Sequence, residues 1–393
     1  MKTNITLLGQ IINNLNRDPF TSIVKKYGSD KHSKGINSWT HLVSMLFCQL
    51  AKANSVREIT GGMLSLEGNL IHLGIMRKVP RKSSLSYINA HRNWKIFRDY
   101  YLELFKIFVN KSKFKNTKFR IKKKIYLLDS TLISLCLKVY DWAHYTRSKG
   151  ALKLHTLLDY DGLLPSYIYI SDGKGSDMRI ARKINIPEKS VVVADRGFID
   201  FELLNKWNSE KIKFVVRCKE DVKFIGYQEK ELPEDRSQNI LKDEMVLLEN
   251  PQTRESYPRK LRMVTVYDEK NNRTMYLLTN DFTWTAQTIS ELYRQRWQIE
   301  IFFRDLKTLF KIKTFIGTSP NAVMIQIWTA MIAMLILKYL KQISQYSWSL
   351  SNLIAFIRMN LFVKISLLEW LNHPFKRMEE LEEELNPQLK LFL

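Results

Sequence analysis

The stretch SVVVADRGF, Ser190 to Phe198, decides which fold this chain is expected to adopt. Its three valines, Val191 to Val193, are β-branched and would present apolar side chains to both faces of a strand. That pattern is typical of a central strand in a sheet that is covered on both sides. The strand is expected to end at Asp195, at the edge where open α/β sheets place their functional residues.

The segments around this strand have the pattern of an α/β fold. Before it, KIYLLDSTLISL predicts a short apolar strand that ends at Asp129, and ALKLHTLLDYDGLLPSYIYISDGK predicts two strands joined by a turn at DYDG. The short helix DMRIARKI comes next, and the helix FELLNKWN and the strand KFVVRC follow the central strand. This order matches a ribonuclease H-like fold, in which the strands of Asp129 and Asp195 are parallel neighbours.

A helical N-terminal domain is expected over residues 1–110. Ser38 is expected to cap a first long helix, Ser55 and Glu58 to form a capping box, and Ser84 to cap one long helix beyond it. Short helices with basic loops are typical of a DNA-binding domain. They are equally typical of an ordinary helical domain.

The remaining segments complete the predicted organisation. Residues 111–124 contain Lys and Arg but no acid, so they are expected to form a basic linker that is either solvated or bound along a phosphate backbone. The catalytic domain is expected over 125–345, with a β-rich insertion at about 219–285. Residues 346–393 are expected to form a helical C-terminal region with an acidic tail, Glu379 to Glu384.

A second informative stretch is YRQRWQIEIFFRDLK, Tyr293 to Lys307. At about 100° per residue of one continuous helix, its apolar side chains fall in one sector, which predicts a core-facing side. The members of that sector are Leu292, Ile299, Phe302, Phe303, Leu306, Leu309 and Phe310. On the adjoining flank, Tyr293, Arg296, Arg304 and Lys307 surround Glu300. A surface helix with salt bridges would have this pattern, and so would a site in which Glu300 holds a metal ion and the cations hold phosphates.

The composition describes a folded and strongly basic protein. Of 393 residues, 45% are hydrophobic and 12% aromatic, and the formal net charge is +23. Such a charge predicts a polyanionic partner. A membrane surface is the competing polyanion, but we find no amphipathic anchor or lipidation motif. The apolar run from Ala322 is expected to be a buried helix rather than a membrane span, and no signal peptide is expected.

Carboxylates are better candidates for metal ligands than Cys or His. The three cysteines are scattered, which fits a reducing cytosol, and the seven histidines form no zinc motif. If the helix of Glu300 packs across the strand ends, then Asp129, Asp195 and Glu300 converge, and divalent cations would relieve their repulsion. Two Mg²⁺ ions about 3.5–4 Å apart can activate a nucleophile and stabilise the leaving oxygen in phosphoryl transfer. Two Asp and one Glu are by themselves a weak signal among 39 acids.

The local patterns resemble those of the DDE transposases of the insertion-sequence-four family. The signature of that family's last catalytic helix is Tyr, two residues, Arg, three residues, Glu, six residues and Lys. Tyr293, Arg296, Glu300 and Lys307 match it with every spacing kept. The family's second Asp lies in a D-x-G-F/Y pattern, which here is the DRGF of Asp195. Its first Asp follows an apolar strand, as in LLDST, and a β-rich insertion separates the second Asp from the Glu.

The resemblance covers roughly residues 120–345 and implies a Mg²⁺-dependent transposase, for which Mn²⁺ is expected to substitute. The implied metal ligands are Asp129, Asp195 and Glu300, and the expected DNA contacts are Tyr293, Arg296, Lys307 and Arg304. Trp284 and Trp297 are candidates for stacking a flipped base, although a tryptophan is more often part of a core.

The partners implied are the terminal inverted repeats and the target, both double-stranded DNA, with a homodimer in the synaptic complex. The expected location is the bacterial cytoplasm at the nucleoid, without a membrane. Two alternatives stay open. One is a catalytically inactive, sequence-specific DNA-binding protein, and the other is a structure-specific nuclease of the same fold.

Several polar residues near the predicted strands remain secondary candidates. Asp172 and Asp177 could lie in the same crevice as the catalytic carboxylates, although a loop turn is the simpler reading of Asp172. Lys153 and His155 could face the site or pack within the sheet. Ser130, beside Asp129, is better explained as a backbone cap than as a nucleophile.

Overall fold

The computed structural model describes residues 3–375, except residues 32, 34, 77–78, 113–118, 120, 144, 147–148 and 233–238. Two compact units make up the chain. The helical unit contains residues 1–113 and 305–393, and the sheet unit contains residues 114–304. The predicted acidic tail, Glu379 to Glu384, and part of the predicted basic linker lie outside the described residues.

The strands of the sheet unit form one nine-stranded sheet in the order β3-β2-β1-β4-β5-β9-β8-β7-β6. The strands are β1 (Ile125–Leu135), β2 (Gly150–Asp159), β3 (Leu164–Asp172), β4 (Val191–Ala194), β5 (Lys213–Arg217), β6 (Phe224–Glu229), β7 (Ile240–Leu248), β8 (Leu261–Asp268) and β9 (Arg273–Thr279). Strand β1 is antiparallel to β2 and parallel to β4, and β4 is parallel to β5. The strand that contains Asp129 and the strand that precedes Asp195 are therefore parallel neighbours, as the sequence predicted.

The central strand β4 is buried at all four positions, which confirms what its three valines predicted. Its residues Val192 and Ala194 belong to one apolar cluster with Leu204 and Trp207 of α8 (Phe201–Ser209) and Phe214 of β5. Burying β-branched and aromatic side chains is the main favourable term in forming such a core. The parallel part of the sheet is thus a well-packed scaffold for the residues at its carboxyl end.

The segment predicted to be a β-rich insertion, 219–285, contains β6 to β9 and the short helix α9 (Pro251–Ser256). Strand β9 pairs with β5, so these strands continue the central sheet. Inside this part, Arg262 donates two hydrogen bonds to Asp243, at 2.8 and 2.6 Å, and both side chains are buried. Arg262 also donates to the backbone carbonyl of Trp284 at 2.6 Å, which satisfies more of its guanidinium.

The helix predicted from Tyr293 to Lys307 is divided into two. Helix α10 covers Ala286–Gln295, α11 covers Trp297–Leu309, and Arg296 forms the junction. The prediction of one continuous helix was therefore wrong at Arg296. The predicted apolar sector is nevertheless buried, apart from Leu309, which is partly exposed.

The helical unit is built from two parts of the chain. Its helices are α1 (Leu7–Asn13), α2 (Arg17–Lys26), α3 (Ser38–Ala51), α4 (Val56–Leu64), α5 (Lys82–His91), α6 (Lys95–Ser112), α12 (Pro320–Ile343), α13 (Leu350–Asn360) and α14 (Leu367–Asn372). Helix α12 packs against α3, α5, α6 and α13. Within the described residues, α12 is the one helix long and apolar enough to cross a membrane, yet 83% of its most apolar window is buried inside the structure. A core helix has that property, which agrees with the predicted buried helix.

Helix starts in the helical unit differ from the predicted ones. Asn37, rather than Ser38, caps α3, because the Ser38 hydroxyl donates to Asp30. Ser55 does cap α4, although the Glu58 carboxylate accepts from the backbone N–H of Asn54 instead of completing the predicted box.

The long helix predicted after Ser84 is two helices. Helix α5 begins before Ser84, at Lys82. Arg92 leaves the helical conformation, and the side chain of Asn93 accepts from the backbone N–H of Lys95, which starts α6.

The compact units do not coincide with the predicted domains. The predicted catalytic domain ends at residue 345, whereas the sheet unit ends at Arg304 and α12 belongs to the helical unit. Spatial compactness does not define a functional domain, so the predicted boundaries stay a prediction.

Candidate active site

Asp129 and Asp195 occupy equivalent positions along two neighbouring parallel strands. The last paired residues of β1 and β4 are Leu128 and Ala194, so each aspartate is the next residue along its chain. Strand β4 ends at this point because a single 3₁₀ turn, Arg196–Phe198, begins after Asp195. The prediction that the strand of Asp129 ends there was wrong, because β1 continues to Leu135, paired with β2. Both aspartates nevertheless lie directly after the parallel pairing of β1 with β4, at the edge where open sheets form crevices.

Tyr293 fixes the orientation of Asp195. Its hydroxyl donates to Asp195 Oδ1 at 2.9 Å, from helix α10, which packs against β4 and β5. Burial would raise the pKa of Asp195, but the backbone N–H of Arg196, the guanidinium of Arg296 and the Tyr293 hydroxyl together hold it below its usual value. Burial and the neighbouring Asp195 raise the pKa of Tyr293, which keeps its proton available for the hydrogen bond.

Arg296 contacts two of the candidate carboxylates. Its Nη1 lies 3.4 Å from Asp129 Oδ2, and its Nη2 lies 2.6 Å from Glu300 Oε1. Its carbon Cζ is also 5.8 Å from the centre of the Tyr293 ring. Because the junction between α10 and α11 falls at Arg296, this side chain extends from the end of one helix toward a carboxylate on the first turn of the next.

Asp129 is the carboxylate most affected by its surroundings. Burial raises its pKa to about 6, with a further increase from the charges of Asp195 and Glu300. The backbone N–H of Ser130, which donates to Asp129 Oδ1 at 2.7 Å, and the charge of Arg296 oppose that increase. The charges of Asp195 and Glu300 are thus close enough to disfavour the ionisation of Asp129.

The electrostatic repulsion that Asp129 experiences from Asp195 and Glu300 is relevant to metal binding, because a cation would relieve it. Among the described residues, no three His, Cys, Asp or Glu side chains are gathered tightly enough to hold a metal ion. Arg296 supplies the positive charge beside Asp129 and Glu300 instead. The donor set consists of carboxylate oxygen atoms in partly buried positions, which is the chemistry that a hard divalent cation prefers.

A cleft of about 700 Å³ opens beside these residues within the sheet unit. Its walls include Asp195, Tyr293, Arg296 and Glu300. Other cleft residues include cationic and aromatic ones, namely Arg196, Arg217, Arg273, Arg294, Tyr267 and Trp297, together with the acidic Asp268 and Glu269. The Trp297 side chain is 57% exposed, so its ring is available to a ligand. A cleft with carboxylates at one end and several arginines suits a phosphodiester chain.

The other residues predicted to contact DNA are not among those that line the cleft. Arg304 is exposed on α11, and Lys307 lies on the part of α11 that belongs to the helical unit, where burial lowers its pKa. Trp284 is partly buried. The roles of these residues stay predictions.

Comparison with known families identifies the family of this chain. A family profile described as "Transposase DDE domain" matches residues 120–336, more than half of the chain. The chain belongs to the DDE transposase family. The resemblance inferred from the sequence is confirmed at that level, and membership of the insertion-sequence-four group stays a prediction. A second profile, "Domain of unknown function (DUF4372)", matches residues 3–76.

Three curated relatives of this DDE family member are named as transposases. A "Probable transposase for insertion sequence element IS5377" from Geobacillus stearothermophilus is 28% identical over 61% of this chain and 63% of that protein. "Putative transposase y4zB" from Sinorhizobium fredii is 32% identical over 54% of this chain and 59% of that protein. The chain therefore matches about three-fifths of the length of these two relatives.

The third relative is matched over more of its length. It is a "Putative transposase for insertion sequence element IS4SA" from Synechocystis sp., 25% identical over 78% of this chain and 83% of that protein. Among solved structures, the piggyBac transposase synaptic complex with hairpin DNA matches 98% of this chain and 86% of that chain at 11% identity, with a TM-score of 0.43. At that TM-score the likeness supports no argument about this DDE transposase chain.

One polar cluster near Asp129 contains four of the secondary candidates, namely Ser130, Lys153, His155 and Asp177. Lys153 Nζ lies 2.5 Å from Asp177 Oδ2, and His155 Nδ1 lies 3.0 Å from Asp177 Oδ1. Burial would raise the pKa of Asp177, but His155, Lys153 and the Ser130 side chain together lower it to about 2. Since Ser130 adjoins Asp129, this cluster supports the strand that carries the catalytic candidate. Asp172 is exposed at the end of β3.

Sequence reasoning missed Arg217 as a residue of this DDE site. Arg217 is the last residue of β5, lines the cleft, and its charge helps to lower the pKa of Asp195. The available signal was its position: it follows the apolar residues of KFVVRC, the strand predicted after the strand of Asp195. Parallel strands end at a common edge, so a cation at this position was a candidate for the same site.

Proposed function

We propose that this chain is a transposase that binds the ends of its element, cleaves phosphodiester bonds there and joins the freed 3′ ends to target DNA. The observation that carries the proposal is the placement of Asp129 and Asp195 directly after the parallel pairing of β1 with β4, with Tyr293, Arg296 and Glu300 in contact with them or with each other. Membership of the DDE transposase family supports the same conclusion.

The proposed catalytic fold is ribonuclease H-like. The order β3-β2-β1-β4-β5, with β1, β4 and β5 parallel, supports that assignment. In the proposed organisation, residues 125–345 form the catalytic domain, 219–285 form its insertion, and 1–110 form the DNA-binding domain. Residues 346–393 form the C-terminal region.

Asp129, Asp195 and Glu300 are the proposed ligands of two Mg²⁺ ions, for which Mn²⁺ would substitute. Burial, together with the charges of Asp195 and Glu300, raises the pKa of Asp129, and a cationic occupant would relieve this cost. When bound, the ions would activate the attacking oxygen and stabilise the leaving oxygen. Glu300 can become a ligand only if its carboxylate separates from Arg296, which now lies 2.6 Å away.

The residues of this chain then act on the DNA. Tyr293 holds Asp195 by its hydrogen bond, and Arg296, once separated from Glu300, binds nonbridging phosphate oxygens with its planar fork. In cleavage, a water oxygen bonds to phosphorus, the bond to the 3′ oxygen breaks, and that oxygen takes up a proton. In joining, this 3′-hydroxyl attacks a target phosphorus and the target's own 3′ oxygen leaves, so the number of phosphodiester bonds is unchanged.

The proposed partners are terminal inverted repeats and target DNA, held by a homodimer in the synaptic complex. Two element ends must be held together before joining, which requires at least two active sites in one assembly. The net charge of +23 supports strongly salt-dependent DNA binding through counterion release. The proposed location is the bacterial cytoplasm, at the nucleoid.

The test is cleavage of a labelled duplex taken from the DNA that flanks the gene, where inverted repeats are expected. Wild type and Asp195→Asn are compared with Mg²⁺ and with EDTA. Cutting at the repeat boundary followed by joining, lost in the variant and in EDTA, supports the transposase. Cutting without joining would instead indicate a structure-specific nuclease. Tight binding without cutting by either protein would indicate a catalytically inactive DNA-binding protein.

A further inference from the structure

Helix α5 of the helical unit is exposed around most of its circumference. Within Lys82–His91, the residues buried are Leu85 and Asn89, which are four positions apart and so share one face. The exposed side chains fill the remaining arc, and they are Lys82, Ser83, Ser84, Ser86, Tyr87 and His91. Tyr87 is 65% exposed, an unusually large exposure for an aromatic side chain of a packed helix.

The buried face of α5 is firmly attached to the rest of the helical unit. Helix α12 packs against it, and Asn321 Nδ2 donates to the backbone carbonyls of Asn89 and Arg92 at 3.0 and 2.7 Å. The Asn89 Oδ1 atom lies 3.3 Å from Nε2 of the buried His41. Hydrogen bonds to the helix end fix its direction as well as its position, so the exposed face is a rigid surface.

The charge of this face is wholly positive. Helix α5 contains Lys82 and no Asp or Glu, and Arg81 precedes it as another exposed cation. Three other helices of the helical unit do carry acids, since α2 carries Asp18, α4 carries Glu58 and α6 carries Asp99 and Glu103.

The exposed face also carries two stacked aromatic rings. Tyr87 and His91 stack with their centres 4.2 Å apart and their planes at 23°. His91 Nδ1 lies 2.8 Å from the Tyr87 carbonyl oxygen, which can only accept, so Nδ1 carries a proton. In the neutral ring Nε2 is then left as an acceptor that faces away from the helix backbone. The pair offers a hydroxyl and an acceptor at fixed positions.

We propose that the exposed face of α5 is the surface that reads base sequence in duplex DNA at the element ends. The proposal rests on the proposed function and adds the residues that give it sequence selectivity. The segment lies between the two family matches, residues 3–76 and 120–336, so neither of them assigns it a role.

The dimensions and chemistry of α5 fit a major groove. An α-helix of ten residues is about 15 Å long and about 10–12 Å wide with its side chains, and the groove is about 12 Å wide. Lys82 would contact phosphates at the rim, which contributes affinity without selectivity. Ser86, Tyr87 and His91 would face base edges, where a hydroxyl or an imidazole acceptor can distinguish one base pair from another.

The experiment measures binding in EDTA, so that no cleavage occurs, to a short duplex from the element end and to a scrambled duplex of the same composition. Tyr87→Ala and Ser86→Ala are each expected to reduce the preference for the end duplex by roughly tenfold or less, with little change on the scrambled duplex. Lys82→Ala is expected to weaken both equally and to reduce the salt slope by about 1. Tyr346→Ala, which removes another exposed tyrosine of the helical unit, and Lys25→Ala, on α2, are the matched controls.

A second measurement uses the wild-type protein and so does not depend on whether a variant folds. Acetylation of lysine amines is mapped with and without the end duplex. Lys82 is expected to be protected by the duplex, while Lys25 stays reactive. If Lys82 reacts equally in both samples, or if the Tyr87 and Ser86 variants keep full selectivity, α5 is not the reading surface.

These outcomes are distinct from failure of the proposed function. If wild type binds both duplexes equally and still cleaves the element end in the cleavage test, that result overturns the α5 proposal and leaves the proposed function intact. If wild type selects the end duplex through α5 but never cleaves it, the α5 proposal stands and the catalytic proposal fails.

Discussion

Arg296 and Glu300 form an ion pair across one turn at the start of α11, with Nη2 2.6 Å from Oε1. The same guanidinium lies 3.4 Å from Asp129, so one side chain neutralises part of a site that would otherwise hold three repelling carboxylates. In the proposed function, a divalent cation bound to Glu300 would compete with Arg296 for the same oxygen atoms. We therefore expect metal binding to separate Arg296 from Glu300, so that Arg296 can bind a DNA phosphate. Metal binding and DNA binding would then be coupled.

Replacement of Glu300 by Gln should separate binding from chemistry. Glu300→Gln keeps the size of the side chain and a weaker contact with Arg296 but removes the charge that a metal requires. We expect DNA binding close to wild type, measured by anisotropy, and loss of cleavage by several orders of magnitude. Glu291→Gln, on α10, is the matched control and should cleave normally, because Glu291 bonds to Gln287. If Glu300→Gln cleaves DNA at the wild-type rate, Glu300 is not a metal ligand.

Replacement of Arg296 should affect binding and cleavage together. Arg296→Ala removes the charge beside Asp129 and Glu300, and end binding is expected to weaken by roughly tenfold, as for loss of a charge-assisted contact. Arg296→Lys keeps a charge but not the planar fork, so it should recover only part of both activities. Binding and cleavage are measured on the same end duplex. An Arg296→Ala protein with wild-type activity would show that Arg296 does not hold phosphate.

Asp177 should contribute to stability in a pH-dependent way. Its folded-state pKa of about 2 lies below the ordinary 3.8, so the ionised carboxylate stabilises the fold above that range and the contribution is lost as the pH falls toward 2. We expect Asp177→Asn to lower the free energy of unfolding by about 1–2 kcal/mol at neutral pH, with a smaller difference as the pH approaches 3. Chemical denaturation at several pH values measures this. The exposed Asp172→Asn should change stability by less than about 0.5 kcal/mol; a pH-independent loss in Asp177→Asn would argue against the ionic explanation.

The buried pair of Arg262 and Asp243 should be costly to break. Arg262→Ala leaves the Asp243 carboxylate buried without its two hydrogen bonds, and a loss of about 3–5 kcal/mol in the free energy of unfolding is expected. The control is Arg273→Ala, whose pair with Asp268 at 3.4 Å is partly exposed and should be worth about 1 kcal/mol or less. Equal losses in the two variants, measured by denaturant unfolding, would contradict this reasoning.

The parts of the fold that the sequence predicted are those in which local pattern and tertiary position agree. Val191 to Val193 are apolar on both faces, and only a central strand can bury them, so the placement of Asp195 at its end followed. The spacing of Tyr293, Arg296 and Glu300 placed all three on one flank, and their observed contacts with the site agree with it.

The parts that could not be predicted depend on long-range choices. Ser38 and Asn37 are both good helix caps, and only the position of Asp30, which accepts from Ser38, decides between them. The junction at Arg296 depends on how α10 packs on the sheet, and helical periodicity does not show it. The separation of α12 from the sheet unit reflects which helices it packs against, and that information is absent from its own residues.

The pairing of β9 with β5 has a consequence for anyone who shortens this protein. The insertion supplies the strand that covers one side of β5, whose residues Val215 and Val216 are fully buried. A chain that lacks residues 219–285 would expose the backbone N–H and C=O groups of β5 along an apolar edge. Such an edge recruits strands from other molecules. We therefore expect an excised version to precipitate through strand-to-strand association rather than to yield a smaller soluble protein.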